Sequence, residues 1–490
     1  MDRPGVPDDP LVASLRRLRD RIAGCRFPLA TPDAGSARAA AQDLVGQLDG
    51  YLLPRLRALD APLLAVVGGP TGAGKSTLTN ALAGQVVSPA GVLRPTTRAP
   101  VLAYHPADRR WFVEPRVLPA LPRRTVEPGA RPAAPAGGPQ LHLVPAAGLP
   151  PGLALLDAPD VDSVVTENRE LATQLLAAAD LWLFVTSAVR YADAVPWALL
   201  AAARERGTVL AVVLDRGDID ARAEAGADLA RMLAERGLGE APLFCVPESP
   251  LAAGLLPSAV VAPLRRWLAA LAADATARRA VVRRTLDGVL ASLPRRVTAL
   301  AEAAQAQVRA AAALREEVVS AYAAALAEVD AQVRAGSPPG GARASVAEGL
   351  PEALGSGVEV LVRDAIGWAA ERAAERVVAG WRTQPAGVAL LAGAGPDATR
   401  ALGRAAPDLS DRTARLVREW QGHRGQAEQA RQELHNRVAE LYDAEAVRFR
   451  RLLEAGCSTG PDAGPVEAAP AALREALDAV ERVRRTREAG

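Results

Sequence analysis

Lysine is nearly absent from this chain. Of 58 basic side chains in 490 residues, one is Lys, at position 75, and all the others are Arg. The two are not equivalent, because guanidinium is a planar fork and ammonium a compact point charge on a flexible stem. A lone Lys is therefore a candidate for work that Arg does poorly. An excess of charge of one sign is also lacking: 58 basic residues stand against 56 acidic ones, for a net charge of +2. That balance argues against a dedicated nucleic-acid binder held mainly by phosphates. The three Cys (Cys25, Cys245, Cys457) are far apart, odd in number and without metal-ligand spacing. A disulfide framework is not expected, and a reducing, cytoplasmic setting is. The first ten residues carry three Asp and three Pro and no apolar h-region, so no secretory signal is read there. No apolar run reaches the roughly 18 residues needed to span a bilayer. The nearest, PAGVALLAGAG at 385–395, is short and Gly-rich and is expected to be a buried or loop segment. No short-period repeat is present.

What is there suffices for a sizeable core: 49% of residues are hydrophobic and 23% charged. The length suggests two or three domains. Residues 1–60 read as an N-terminal helical segment, with two helices over 11–58 broken near 27–35. From 61 to 262 the period changes. Short apolar runs at 63–67, 101–104, 153–156, 181–185, 209–214 and 243–246 alternate with helix-like stretches at 75–85, 167–178, 194–206 and 222–237. Runs apolar throughout suit strands covered on both faces, and the alternation predicts an α/β fold with a mainly parallel sheet and crossover helices. Residues 105–140, rich in Pro, Arg and Gly, read as a long inserted loop. Residues 263–490 are rich in Ala, Arg, Glu and Leu and predict a large helical bundle. Val318, Tyr322, Leu326, Val329 and Val333 recur at spacings of three and four and mark one apolar face. Trp267, Trp368, Trp381 and Trp420 are expected to anchor its core.

The single Lys sits in Gly69-Pro70-Thr71-Gly72-Ala73-Gly74-Lys75-Ser76, followed by Thr77. This matches G-x-x-x-x-G-K-[ST], the phosphate-binding loop, with an apolar strand running in and a helix leaving. The glycines let backbone N–H groups curl round phosphates, and the helix N-terminus adds its positive end. Lys75 supplies a point charge to the phosphates, and Ser76 a hydroxyl to Mg²⁺. The LSGGQ-like signature of ABC-type ATPases is missing.

Further along, Arg94-Pro95-Thr96-Thr97-Arg98 precedes a strand. Here the sequence resembles dynamin-like GTPases and their relatives in the Era/TrmE class, whose switch I ends in a Thr-Arg pair before a strand. The resemblance makes Thr97 the Mg²⁺ threonine, with Thr96 second. Leu155-Leu156-Asp157-Ala158-Pro159-Asp160 stands where the GTPase pattern has D-x-x-G. Asp157 fits the acid that holds Mg²⁺ through water. Asp160 replaces the Gly, and its carboxylate is unfavourable near phosphate unless it turns away or pairs. LLDAPDVDS, with Tyr191-Ala192-Asp193-Ala194 after the next strand, looks like a group of actinobacterial dynamin-family GTPases that carry D-x-P-D. Asp215-Arg216-Gly217-Asp218 stands in place of N-K-x-D. Asp218 can accept from guanine N1–H and the N2 amine, Arg216 can lie over the base, and Asp215 lacks the amide donor of Asn.

The resemblance covers about 61–250. It implies GTP hydrolysis with Mg²⁺ by a dynamin-like switch or mechanochemical protein with nucleotide-responsive helices. A water-positioning Gln is missing, since Val161 follows the D-x-x-G-like motif, and Gly72 replaces the Asn of potassium-activated relatives. Slow hydrolysis is expected, stimulated by self-association through the G domain or by a partner; Arg98, Arg109 and Arg110 are candidates to act in trans. Two alternatives stay open: a nucleotide-binding scaffold with little turnover, for which Asp160 and Asp215 speak, and a P-loop ATPase. A protein partner on the helical bundle is a further expectation. Where some members of the family place a hydrophobic hairpin, this chain has a charged stretch, HRGQAEQARQELHNRVAELYDAEAVRFRR, so stable membrane insertion is not expected. The amphipathic stretch 473–487 reads as a packed helix, with peripheral contact at a membrane surface as the alternative.

Overall fold

The computed structural model describes residues 9–89, 99–114, 116–119, 121–127, 139–160, 166–206, 208–215, 219–335, 356–421, 427–457 and 466–489. The chain divides into two compact units. One comprises Met1–Ala23, Ala41–Thr298 and Glu475–Gly490, the other Gly24–Ala40 and Ala299–Arg474.

The first unit is α/β. Its strands are β1 (Leu63–Gly68), β2 (Val101–Tyr104), β3 (Arg123–Thr125), β4 (Leu141–Pro145), β5 (Leu153–Asp157), β6 (Leu181–Ser187), β7 (Val209–Asp215) and β8 (Leu243–Val246). Among the described residues they form one eight-stranded sheet in the order β3-β4-β2-β5-β1-β6-β7-β8. Every pairing is parallel except β2 with β5. Helices Thr166–Ala177, Ala194–Arg206 and Ile219–Glu235 connect β5 to β6, β6 to β7 and β7 to β8, the crossovers that parallel neighbours require. Every residue of β1, β2, β5 and β6 is buried. That is why these runs are apolar throughout instead of alternating. The mainly parallel sheet with crossover helices is as expected from the alternating pattern, and all six expected strands are present.

Two strands fall outside that reading. β4 pairs with β2 and β3 with β4, so the stretch 105–140 is not one long loop. It also holds a short helix, Arg109–Val113. Within it the Arg123 guanidinium donates to the carbonyls of Phe112, Val117, Leu118 and Leu121. A planar fork with five donors can gather several turn carbonyls at once, which composition alone does not reveal.

A buried ion pair sets the entry of the central strands. Arg55, in helix Leu53–Arg57, lies 2.9 Å from Asp180, just before β6. Asp180 also accepts the N–H of Leu64 at the start of β1, at 2.8 Å. Burial pushes the Asp180 carboxyl up from its ordinary range, and the Arg55 charge opposes that.

The second unit is helical in its described residues. It takes residues 299 onward of the 61-residue helix Ala275–Ala335, with Ser356–Arg382, Pro385–Ala394, Pro396–Leu402, Leu409–Gln421 and Ala427–Cys457. Trp381 packs edge-on to Phe449 at 5.7 Å and donates its indole N–H to the Leu314 carbonyl. Tyr442 donates to the Ile366 carbonyl at 2.8 Å. The expected apolar face is in place: Val318, Tyr322 and Val329 are buried, and Leu326 and Val333 pack partly buried against the same cluster. Of the four tryptophans expected as anchors, Trp381 is one. Trp420 is half-buried and Trp368 is 41% exposed, while Trp267 belongs to the first unit, half-buried beside Phe244 of β8. Trp368 lies off the stripe of Ile366, Ala369, Ala370 and Ala373 that faces the core, and Arg372 covers its ring at 4.6 Å. The apolar stretch at 385–395 forms a helix over most of its length, with Ala386, Gly387 and Leu391 buried and Val388 exposed. Helix Ala469–Ala489, whose residues from Glu475 on belong to the first unit, buries Leu473, Leu477 and Val480. Among the described residues no helix is long and apolar enough to cross a membrane.

Candidate functional site

Parallel pairing of β1 with β5 and β6, and of β6 with β7, brings four carboxyl ends to one edge of the sheet. Open α/β sheets bind ligands at such edges. Here lie the loop after β1, Asp157 at the end of β5, and Asp215 at the end of β7.

The loop depends on glycine at both ends. Gly69 has φ +152°, and a Cβ there would lie 2.0 Å from the Val185 carbonyl oxygen of β6. Gly74 has φ +90°, and a Cβ there would lie 1.9 Å from Oδ2 of Asp215. A side chain at either position would meet both the backbone penalty and a neighbour. Between them Pro70 and Ala73 are buried, and Thr71 and Gly72 half-buried. Gly74 is the N-cap of helix Lys75–Ala83 and makes no side-chain cap of its own. The N-terminus of a helix carries the positive end of its dipole and favours an anion. Thr77 is half-buried in the first turn.

Lys75 is only 5% exposed. Its ammonium donates to the Pro70 carbonyl at 3.0 Å and to Oδ1 of Asp160 at 2.5 Å. The next residue reaches the other acid: the Ser76 hydroxyl donates to Oδ2 of Asp157 at 2.7 Å. That oxygen also accepts the Ser88 hydroxyl at 2.5 Å. Asp157 is fully buried, and its Oδ1 has no hydrogen-bond partner among the described residues. Burial pushes its carboxyl above the ordinary range, while the Ser88 and Ser76 hydroxyls and the Lys75 charge pull the other way. An orphan carboxylate oxygen and an adjacent hydroxyl are hard donors of the kind Mg²⁺ takes. These residues fit such an ion.

Three contributors escaped the sequence reading. Ser88 is one. Asn80 is the second: its Oδ1 accepts the N–H groups of Val87 and Ser88, and its amide donates to the Ser88 carbonyl. It thereby holds Ser88 against Asp157. Its polarity was the available signal in the sequence. The third is Arg190, which donates to the Thr71 carbonyl at 3.0 Å and pairs with Asp193 at 2.9 Å. Tyr191, beside it, donates to Asp228 at 3.0 Å. The Tyr-Ala-Asp-Ala stretch is thus tied to the loop after β1 through its preceding Arg.

Asp215, read as the first residue of the base-recognition motif, packs its carboxylate on Gly74. Arg216 and Asp218 lie outside the described residues, as do Thr96, Thr97, Arg98 and Val161. Arg109 and Arg110 are exposed on their helix. They leave β2 at Tyr104, which faces Ala154 at the start of β5, whereas Asp157 faces Val101. They therefore sit toward the end of the sheet remote from their own chain's loop after β1.

No protein-family model and no curated protein matches the chain. Two solved structures, both described as an oligomerised bacterial dynamin pair that provides a mechanism for the long-range sensing and tethering of membranes, are similar to it. The first is 10% identical, with a TM-score of 0.32 over 100% of this chain and 83% of that one. The second is 9% identical, with a TM-score of 0.40 over 98% of this chain and 96% of that one.

Proposed function

We propose that the chain binds GTP with Mg²⁺ and hydrolyses it slowly to GDP and phosphate, as a dynamin-like switch or mechanochemical GTPase with nucleotide-responsive helices. The observation that carries this is the meeting of Lys75, Ser76 and Asp157 at the carboxyl edge of the sheet, with one carboxylate oxygen of Asp157 unpartnered. In this reading the backbone from Gly69 to Thr77 cradles the phosphates, and Lys75 neutralises their charge. Ser76, Asp157 and Thr97 hold Mg²⁺, which when bound neutralises phosphate oxygens. Arg216 and Asp218 receive guanine. Phosphoryl transfer rests mainly on positioning and charge neutralisation, and these residues supply both.

With apolar Val161 after the switch acid and Gly72 in the loop, the intrinsic rate is slow. A group supplied in trans, by a second copy through the G domain or by a partner on the helical bundle, raises it. The division into segments 1–60, 61–262 and 263–490 and a cytoplasmic setting belong to the same proposal. The burial of Leu473, Leu477 and Val480 supports a packed role for helix Ala469–Ala489 over membrane-surface contact.

A second reading, a nucleotide-binding scaffold with little turnover, is favoured by one observation: Asp160 holds the Lys75 ammonium. Titration with labelled GTP and ATP, followed by phosphate release at several protein concentrations, separates the readings. A GTPase releases phosphate beyond a Lys75→Ala control, with specific activity rising with concentration when self-association stimulates it. GTP binding without release leaves the scaffold, and a preference for ATP overturns guanine recognition.

A further inference from the structure

The Asp160 carboxylate occupies the place beside Lys75 that the proposed function assigns to a phosphate. We infer that Asp160 is a built-in competitor for the nucleotide: it neutralises Lys75 in the nucleotide-free chain and must leave before a phosphate can take that ammonium. The inference rests on the nucleotide-binding reading and adds a regulation of the same site.

Three observations carry it. The Lys75 ammonium is buried, and a buried ammonium needs a counter-charge. Asp160 supplies one at 2.5 Å, across 85 residues of sequence. Asp160 is also the more open partner, its side chain 19% exposed against 5% for Lys75, and it lies beyond the end of β5, outside any strand or helix. Its carboxylate can therefore rotate into water while Lys75 stays. A phosphate arriving at Lys75 brings negative charge against the carboxylate, and the two do not share one ammonium at close range. Asp157, three residues earlier, is held by its register opposite Val67, so displacement acts on the chain after Asp157 and spares the magnesium acid. Nucleotide entry would thus move the Asp160 carboxylate off Lys75.

The test compares the full chain with Asp160→Asn and Asp160→Gly, each checked for folding by circular dichroism. GTP and GDP dissociation constants are measured with fluorescent analogues. Nucleotide-free stability is measured for Asp160→Asn, Lys75→Met and the double variant. The expected results are about tenfold tighter nucleotide binding by both single Asp160 variants, which is about 1.4 kcal/mol, and non-additive stabilities that reveal coupling of Lys75 to Asp160 without nucleotide. Unchanged or weaker binding by Asp160→Asn and Asp160→Gly overturns the competition and leaves nucleotide binding standing. Absence of binding in the parent and both variants overturns the nucleotide reading and this inference with it.

Discussion

The Ser76 hydroxyl donates a 2.7 Å hydrogen bond to one oxygen of Asp157, and the other oxygen of that buried carboxylate has no partner among the described residues. The two residues are 81 apart in sequence and meet because β1 and β5 are parallel neighbours with Val67 opposite Asp157.

Asp157 should cost the nucleotide-free protein stability. Burial raises its carboxyl above the ordinary 3.8, so the folded chain keeps a proton that the unfolded chain has lost. Stability therefore falls as pH rises from that ordinary value through the raised one, and stays lower above it. Asp157→Asn should raise the nucleotide-free Tm above this window and flatten the fall within it. With GTP and Mg²⁺ the proposed function predicts the reverse order, because the variant lacks the acid proposed to hold Mg²⁺. Thermal scans across pH, with and without nucleotide, check both halves.

Gly74→Ala should damage the loop. The residue has φ +90° and faces the Asp215 carboxylate. The expected loss is about 1–3 kcal/mol of stability, together with nucleotide binding. Gly367, inside helix Ser356–Arg382, has nothing within 4 Å of an added Cβ. Gly367→Ala should therefore stabilise the chain by about 0.5–1 kcal/mol. Urea unfolding of the two variants gives opposite signs when the local geometry is as described.

Arg55→Met should be among the most destabilising single changes in the α/β unit. It strips the counter-charge from buried Asp180, which keeps the Leu64 N–H as a donor. Leaving one partner of a buried pair costs about 3–5 kcal/mol. Arg55→Met with Asp180→Asn should recover a large part of that loss. A double-mutant cycle in denaturant measures it.

Trp381→Ala and Trp368→Ala should differ sharply. Trp381 is fully buried against Phe449 and donates to Leu314, so its truncation should cost about 3–5 kcal/mol. Trp368 is exposed under Arg372, so its loss should cost below about 1 kcal/mol. Chemical unfolding followed by far-ultraviolet circular dichroism reads both.

Six strands were legible because buried parallel strands need continuous apolar runs, and those runs stand out from their surroundings. β4 was not: LHLVP follows a Pro- and Gly-rich stretch, contains His142, and is a strand by virtue of pairing with β2 and β3. Of the site, the loop from Gly69 to Ser76 was legible, because its chemistry is local: glycines for the turn, a helix start, and one Lys. Asn80 and Ser88 carry no local signal beyond their polarity.

By itself, then, the sequence determined an α/β unit followed by helices and a glycine-rich loop that carries the only Lys in the chain. Backbone propensity, apolar periodicity and turn chemistry act over a few residues and can be read in order. Tertiary structure alone decided what faces that loop. Asp160 meets Lys75, Ser88 joins Ser76 on Asp157, Asp215 backs Gly74, and Arg190 holds Thr71. Each of these contacts depends on strand order and register, which place residues distant in sequence at one edge of the sheet.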